Sequence, residues 1–125
     1  MSGPNAGSAR RILELLSEGD VEAFVEFLDP EIEIHTRRGA RRGVAEAATW
    51  AGRRYLHLVR RYKVDELQEA GDRVLVLAEV QYVWRESGKV GHAALVGIVL
   101  EFRAGKLRRW RLYEDPMEAL EELED

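Results

Sequence analysis

The chain contains no cysteine. That excludes a disulfide scaffold, thiolate metal sites and a cysteine nucleophile. Its longest uninterrupted apolar run, Ala93 to Leu100, is too short to cross a bilayer. The opening MSGPNAGSARR has no apolar stretch behind its charges, so no secretory signal is visible and a cytoplasmic location is the expectation. His35, His57 and His92 share no metal-ligand spacing, no Gly-rich phosphate loop exists, and no serine sits in a nucleophile-like turn. Neither a metal nor a cofactor is therefore expected. Internal repeats and composition shifts are also lacking, and 125 residues are enough for one domain with a real core.

What is present is a globular balance of 46% apolar and 34% charged residues. The net charge of −4 is unevenly spread: residues 114–125 hold seven acids and no base. Sixteen of the nineteen bases are arginine, and Arg37, Arg38, Arg41 and Arg42 fall in one loop. Elsewhere the arginines alternate with acids and form no continuous basic stripe, so no nucleic-acid partner is expected.

The chain is organised around residues 73–115, three β-type runs separated by the turns ESGK and RAGK. Ala104 resists the positive φ that a two-residue turn demands. A three-residue loop with Gly88 and Gly105 in the left-handed region is therefore expected, pairing Arg85 with Lys89 and Phe102 with Lys106. One face then carries Val74, Val76, Ala78, Val80, Tyr82, Trp84, Val90, His92, Ala94, Val96, Ile98, Leu100, Phe102, Trp110, Leu112 and Glu114, and is nearly all apolar. The other mixes Leu75, Leu77, Val83, Leu95, Val99 and Tyr113 with Glu79, Gln81, Arg109 and Arg111. A one-residue slip would destroy that separation.

Around this sheet the periodicity predicts helices. Residues 1–7 lack any pattern and are expected to be a disordered tail. Ser8 is placed as the cap of a helix through Ile12, Leu13, Leu15 and Leu16, and Asp20 as the cap of a second with Val21, Phe24, Val25, Phe27 and Leu28 inward. Asp29-Pro30 stops it, EIEIHT (31–36) alternates as a strand, and a polar Arg-rich loop runs to Gly43. Val44 to Arg61 reads as one long amphipathic helix, weakened at Gly52. Residues 62–69 read as a strand, and Asp115-Pro116-Met117-Glu118 as a helix start. The order is ααβαββββα, an α+β fold in which a curved antiparallel sheet is covered by helices.

SEGDVEAFVEFLDPEIEIHT, RRGVAEA, EAGDRVLV and AGKLRRWRLYEDPMEAL, in that order, resemble the nuclear-transport-factor-2-like superfamily, and within it the SnoaL-like branch. The resemblance spans residues 10–122 and frames 8–125 as a single SnoaL-like domain. It implies a cone-shaped, cystatin-like fold with an apolar cavity at its open end, usually as a homodimer. Relatives include polyketide cyclases, ketosteroid isomerases, dehydratases and epoxide hydrolases, as well as members that only bind or oligomerise, so the fold does not choose a reaction. In the limonene-epoxide hydrolase pattern an Asp follows the Trp-Arg of the last strand, whereas Leu112 follows Trp110-Arg111 here. The proton-shuttling Asp of ketosteroid isomerases falls on His35 or Thr36, and their oxyanion-holding pair on Leu15 or Leu16 and on Ile98, which cannot donate. Glu114 or Asp115 matches an acid near the end of the last strand in SnoaL-type cyclases.

Three residues are candidates for proton transfer. His92 lies on the apolar face across from Tyr82, either as an acid/base near a cavity mouth or as a partly buried histidine bonded to its surroundings. Strict alternation sends His35 outward with Glu33, and only a β-bulge near the strand end would turn it inward. Glu114 ends the apolar face, where partial burial would raise its pKa; its bland alternative is the acidic start of the last helix. Trp50, Tyr55, Tyr82, Trp84 and Trp110, with Ala94, Val96, Ile98 and Leu112, are the expected lining for a flat apolar ligand. The mixed outer face suits a homodimer interface, the other available cover being a C-terminal helix with Met117, Leu120 and Leu123. The function expected is a small-molecule pocket protein, either an acid/base enzyme (isomerase, cyclase, dehydratase or hydrolase) or a non-catalytic binding or dimerising domain.

Overall fold

A computed structural model describes residues 3–53 and 57–124. Helices α1 (Pro4–Glu18) and α2 (Val21–Val25) precede strands β1 (Leu28–Thr36) and β2 (Gly39–Arg42). Helix α3 (Val44–Ala51) follows, then β3 (Leu58–Ala70), β4 (Arg73–Trp84), β5 (Val90–Arg103), β6 (Lys106–Tyr113) and α4 (Pro116–Glu124). The strands form one curved, unclosed sheet in the order β2-β1-β6-β5-β4-β3. Every pair is antiparallel except β1 with β6. The α+β class and the expected element order hold, with β2 as one short strand more.

The sheet's two faces follow the alternation in the sequence. Val74, Val76, Ala78, Val80, Val96, Ile98, Leu100, Phe102 and Trp110 are buried in one cluster with Ile12, Leu13, Leu16, Phe24, Trp50 and Ala51 of α1, α2 and α3. On the outer face Leu75 and Val99 pack with Ala119, and Leu77, Tyr113, Leu120 and Leu123 border them, so α4 covers one end of that face. Each buried aliphatic contributes roughly 1.5–3 kcal/mol, which is why the two-sided pattern dictates where the helices go.

The capping residues act as their chemistry requires. Gly19 ends α1 at φ 75, and the Asp20 carboxylate accepts from the Ala23 N–H at 3.1 Å. Asp115 accepts from the Met117 N–H at 2.9 Å to start α4. Buried Asp29 accepts two bonds from Arg103, which hold its carboxyl below the usual range together with the Glu31 N–H.

Five expectations are corrected. Helix α1 begins at Pro4, not Ser8, because Pro occupies N1 and the Ala6 N–H is accepted by Glu69 of β3 at 2.7 Å, so residues 4–7 are helical rather than a disordered tail. Helix α3 ends at Ala51, and Leu58 and Val59 open β3, where they pair with Trp84 and Val83. An apolar run short enough to fit either period is settled by its partner strand. The Arg-rich loop is a β-hairpin, with Thr36 facing Gly39 at φ 112. Ala104 does take a positive φ of 51 beside Gly105 at 81, so Arg103 pairs with Lys106 in a two-residue turn. A bulge between Glu101 and Phe102 then restores the expected faces by seating Leu100 opposite Trp110. In the other hairpin Gly88 has φ 73 and Tyr82 faces His92 as expected, but the expected pairing of Arg85 with Lys89 is corrected: a bulge at Tyr82/Val83 seats Val83 opposite Val90, and the Trp84 N–H donates to Lys89 O at 2.8 Å. None of the described helices is long and apolar enough to cross a membrane.

Candidate functional site

The sheet curls around a cavity of about 510 Å³ that the helices leave open at one end. Helix α3 sends Trp50 into it, β3 sends Tyr62, β4 Val80 and Tyr82, β5 Ala94 and Val96, and β6 Trp110 and Leu112. Trp110 is fully buried and meets Trp50 edge-on at 5.3 Å between ring centroids and Tyr62 at 5.8 Å. Phe24 backs Trp50 at 6.3 Å. These edge-to-face and tilted contacts, in a favourable aromatic geometry, make a contiguous apolar floor. The Trp110 indole N–H has no hydrogen-bond partner among the described residues. Tyr62 is fixed through its backbone: its N–H donates to Ser17 Oγ at 2.9 Å, and that hydroxyl donates to Leu13 O, tying β3 to α1.

The wall near the mouth is polar. The His92 ring lies 6.2 Å from that of Tyr82 across the β4–β5 ladder, at an interplanar angle of 36°. Glu114 borders the cavity too, but its side chain is 63% exposed and pairs with Arg37 at 3.0 Å. The desolvated position expected for it is thus corrected: β6 ends at Tyr113, which leaves Glu114 free to swing to solvent and to the β1–β2 hairpin. Around the same mouth stand Thr36, Arg38 and Arg41 of that hairpin, Arg53 after α3, and Arg60 of β3. The Arg60 guanidinium lies 5.1 Å over the Trp50 ring and 5.7 Å over that of Tyr62.

Of the expected lining, Trp50, Tyr82, Ala94, Val96, Trp110 and Leu112 do border this cavity. Ile98 does not, since it is fully buried in the core beneath it. Trp84 does not either. The bulge between Tyr82 and Val83 leaves Gly91 unpaired, and Trp84 packs its indole over that glycine, 47% exposed. Tyr55 lies outside the described residues.

His35 is kept out of the cavity. No bulge falls beside it: it pairs in register with Ala40 and Arg111, and its Nε2 meets Glu33 Oε1 at 2.9 Å on the outer face. Arg108 reaches the other Glu33 oxygen at 3.1 Å. These two bonds, His35 first, hold the Glu33 carboxyl down at about 2. Farther along the same face the Tyr113 hydroxyl donates to Glu122 and receives from Arg111, and burial together with that carboxylate pushes the phenol up. Among the described residues no group of three or more His, Asp or Glu is arranged to hold a metal.

What the sequence reading did not place is Tyr62 and the arginines of the mouth. For Tyr62 a signal existed, since Tyr62, Val64 and Leu67 all pack toward the core once the bulge at Val64/Glu66 is allowed for. The RRGARR segment gave no such signal. Only the β1–β2 pairing brings its arginines to the cavity.

Comparison with known proteins agrees with this architecture. An NTF2-like protein of unknown function from Burkholderia pseudomallei superposes with a TM-score of 0.72 at 19% identity, covering 96% of this chain and 97% of its own. An uncharacterised cystatin-fold protein from Novosphingobium aromaticivorans gives 0.75 at 16%, covering 89% and 98%. An LEH-like epoxide hydrolase from M. tuberculosis gives 0.75 at 18%, covering 96% and 89%. At such identities the likeness shows the fold. No curated protein matches the chain by sequence. Residues 9–110, however, match the profile of the SnoaL-like domain, from α1 through the Trp110 floor, and the chain therefore belongs to the SnoaL-like family.

Proposed function

We propose that this protein binds a flat apolar small molecule in the cavity and moves a proton on it through His92. The observation that carries this reading is the combination of a contiguous Trp50–Tyr62–Trp110 floor with one imidazole on the wall beside Tyr82, in a space of about 510 Å³. That volume is of the size that small-molecule sites occupy. An imidazole is suited to general acid/base work near neutral pH without a large environmental shift. Glu114, bridged to Arg37, is the second proton-handling group of this scheme. His35 has no part in it, being engaged with Glu33 outside the cavity. The fold's reaction repertoire, epoxide hydrolysis in the M. tuberculosis relative among others, leaves the reaction type to be set by these groups.

The test is a panel of bicyclic aromatic ketones and epoxides, scored for binding by protein NMR and for turnover by product analysis, with wild type and His92→Gln. Binding by both proteins with turnover by wild type alone supports the proposal. Binding without turnover by either reduces the protein to a ligand-binding domain, the runner-up reading. Absence of binding across the panel overturns the pocket reading itself.

We also propose a homodimer through the part of the outer face that α4 leaves uncovered. Leu95 is 60% exposed there, opposite Glu79 in register. An exposed leucine among paired polar groups has the composition of an interface core with its rim.

A further inference from the structure

The charge of the cavity contrasts with that of the chain. The protein carries −4 overall, yet its cavity is lined by five arginines and a single carboxylate. Outside the cavity several arginines are matched by acids: Arg103 with Asp29 and Glu31, Arg108 with Glu33, Arg73 with Glu101, Arg111 with Glu122. At the mouth the one acid, Glu114, is already engaged by Arg37. Arg38 and Arg41 have no side-chain ion pair among the described residues, and Arg60 is held by ring faces instead of by an acid. Like charges gathered at a concave mouth with low-dielectric walls repel one another and focus a positive potential into the cleft. A guanidinium held over a ring face spends no N–H donor on an acid, and its fork of donors suits a carboxylate.

Resting on the pocket reading above, we infer that the ligand is an amphiphilic organic anion. Its ring-sized apolar body lies against Trp50, Tyr62 and Trp110, and its oxyanion head is held at the mouth by Arg41 and Arg60. The head supplies a countercharge to Arg41 and Arg60, for which the cavity's single carboxylate, engaged by Arg37, is not available. It also orients the body, because a planar anion docked on two guanidinium groups has few ways to turn. The β1–β2 hairpin then has a role beyond edge pairing: it carries Arg41 to the mouth from the strand edge farthest from Arg60.

The experiment compares 2-naphthoate with 2-naphthamide, which share shape and ring system and differ in charge, by isothermal titration calorimetry at low and high salt. Wild type is expected to bind the naphthoate about tenfold or more tightly than the amide at low salt, with the ratio shrinking as salt rises. In the Arg41→Gln/Arg60→Gln variant the ratio is expected to fall to near one, with circular dichroism confirming the fold. Equal affinity of wild type for both probes overturns the anion inference and leaves the apolar pocket standing. A ratio that survives the double substitution overturns the assignment to Arg41 and Arg60. Failure of both probes to bind wild type overturns the pocket reading and this inference with it.

Discussion

Helix α4 approaches the sheet closely at Gly97, in the middle of β5 opposite Leu77 and Tyr113. A Cβ placed there would stand 2.4 Å from the Ala119 Cβ and 3.2 Å from the Pro116 Cα. Carbon atoms in contact prefer about 3.5–4.0 Å. Ala119 has no rotamer with which to move away and Pro116 is met at its backbone, so α4 as a whole must retreat by about 1 Å or more. Overpacking of this kind costs about 1–3 kcal/mol. Against it stands the gain of about 0.5–1 kcal/mol from stiffening the unfolded chain, since Gly97 does not need a positive φ. Gly97→Ala is therefore expected to destabilise by ~1–2 kcal/mol. With a urea slope of roughly 1–3 kcal/mol/M, the midpoint falls by roughly 0.3–2 M. Retreat of α4 also uncovers Leu75 and Val99, so amide protection in β4 and β5 beneath the helix should drop while that of β1 is unchanged. Adding Ala119→Gly removes the colliding methyl but costs about 1 kcal/mol of helix propensity. The decisive quantity is accordingly the coupling in the double-mutant cycle, expected to be favourable by about 1 kcal/mol. A Gly97→Ala protein as stable as wild type, or a coupling of zero, would refute the close seating of α4 on β5.

Two other expectations come from the outer face. Glu33 is depressed from 4.5 to about 2 in the folded state with its side chain 18% exposed, so its ionic bonds stabilise above pH 4.5 and are lost as the pH falls through the folded value. Allowing for partial exposure, Glu33→Gln should be less stable than wild type by about 2 kcal/mol at neutral pH, with the gap closing between pH 4.5 and 2, as read by urea melts across that range. Sedimentation equilibrium should return twice the 14.3 kDa chain mass for wild type and one chain for Leu95→Asp; a wild type that stays single at high micromolar concentration removes the dimer proposal.

Much of the candidate site was legible because strand alternation is a local rule. Once Tyr82 faces His92, parity places Val80, Ala94 and Val96 on the same side, and Trp110 of β6 follows. Glu114 was less legible because it lies just past the strand end, where alternation stops, whereas His35 followed the alternation outward to Glu33. Trp84 was placed on the wrong side of a bulge that no residue pattern announced, although Gly91 is the residue that permits it.

The sequence by itself determined the two-faced sheet, the places where β4, β5 and β6 turn and the starts of α2 and α4, because period, glycine placement and capping side chains act over a few residues. It also carried the family signature. Only the tertiary structure decided where α3 stops and β3 starts, since Leu58 and Val59 suit either period until Trp84 and Val83 offer hydrogen-bonding partners. The tertiary fold likewise turned Ala104 into the left-handed region, where the pairing of Arg103 with Lys106 outweighs a local cost of about 1–2 kcal/mol. And it alone gathered Arg38, Arg41 and Arg60 at one mouth, because charges from strands at opposite edges of the sheet share a site only when the sheet curls.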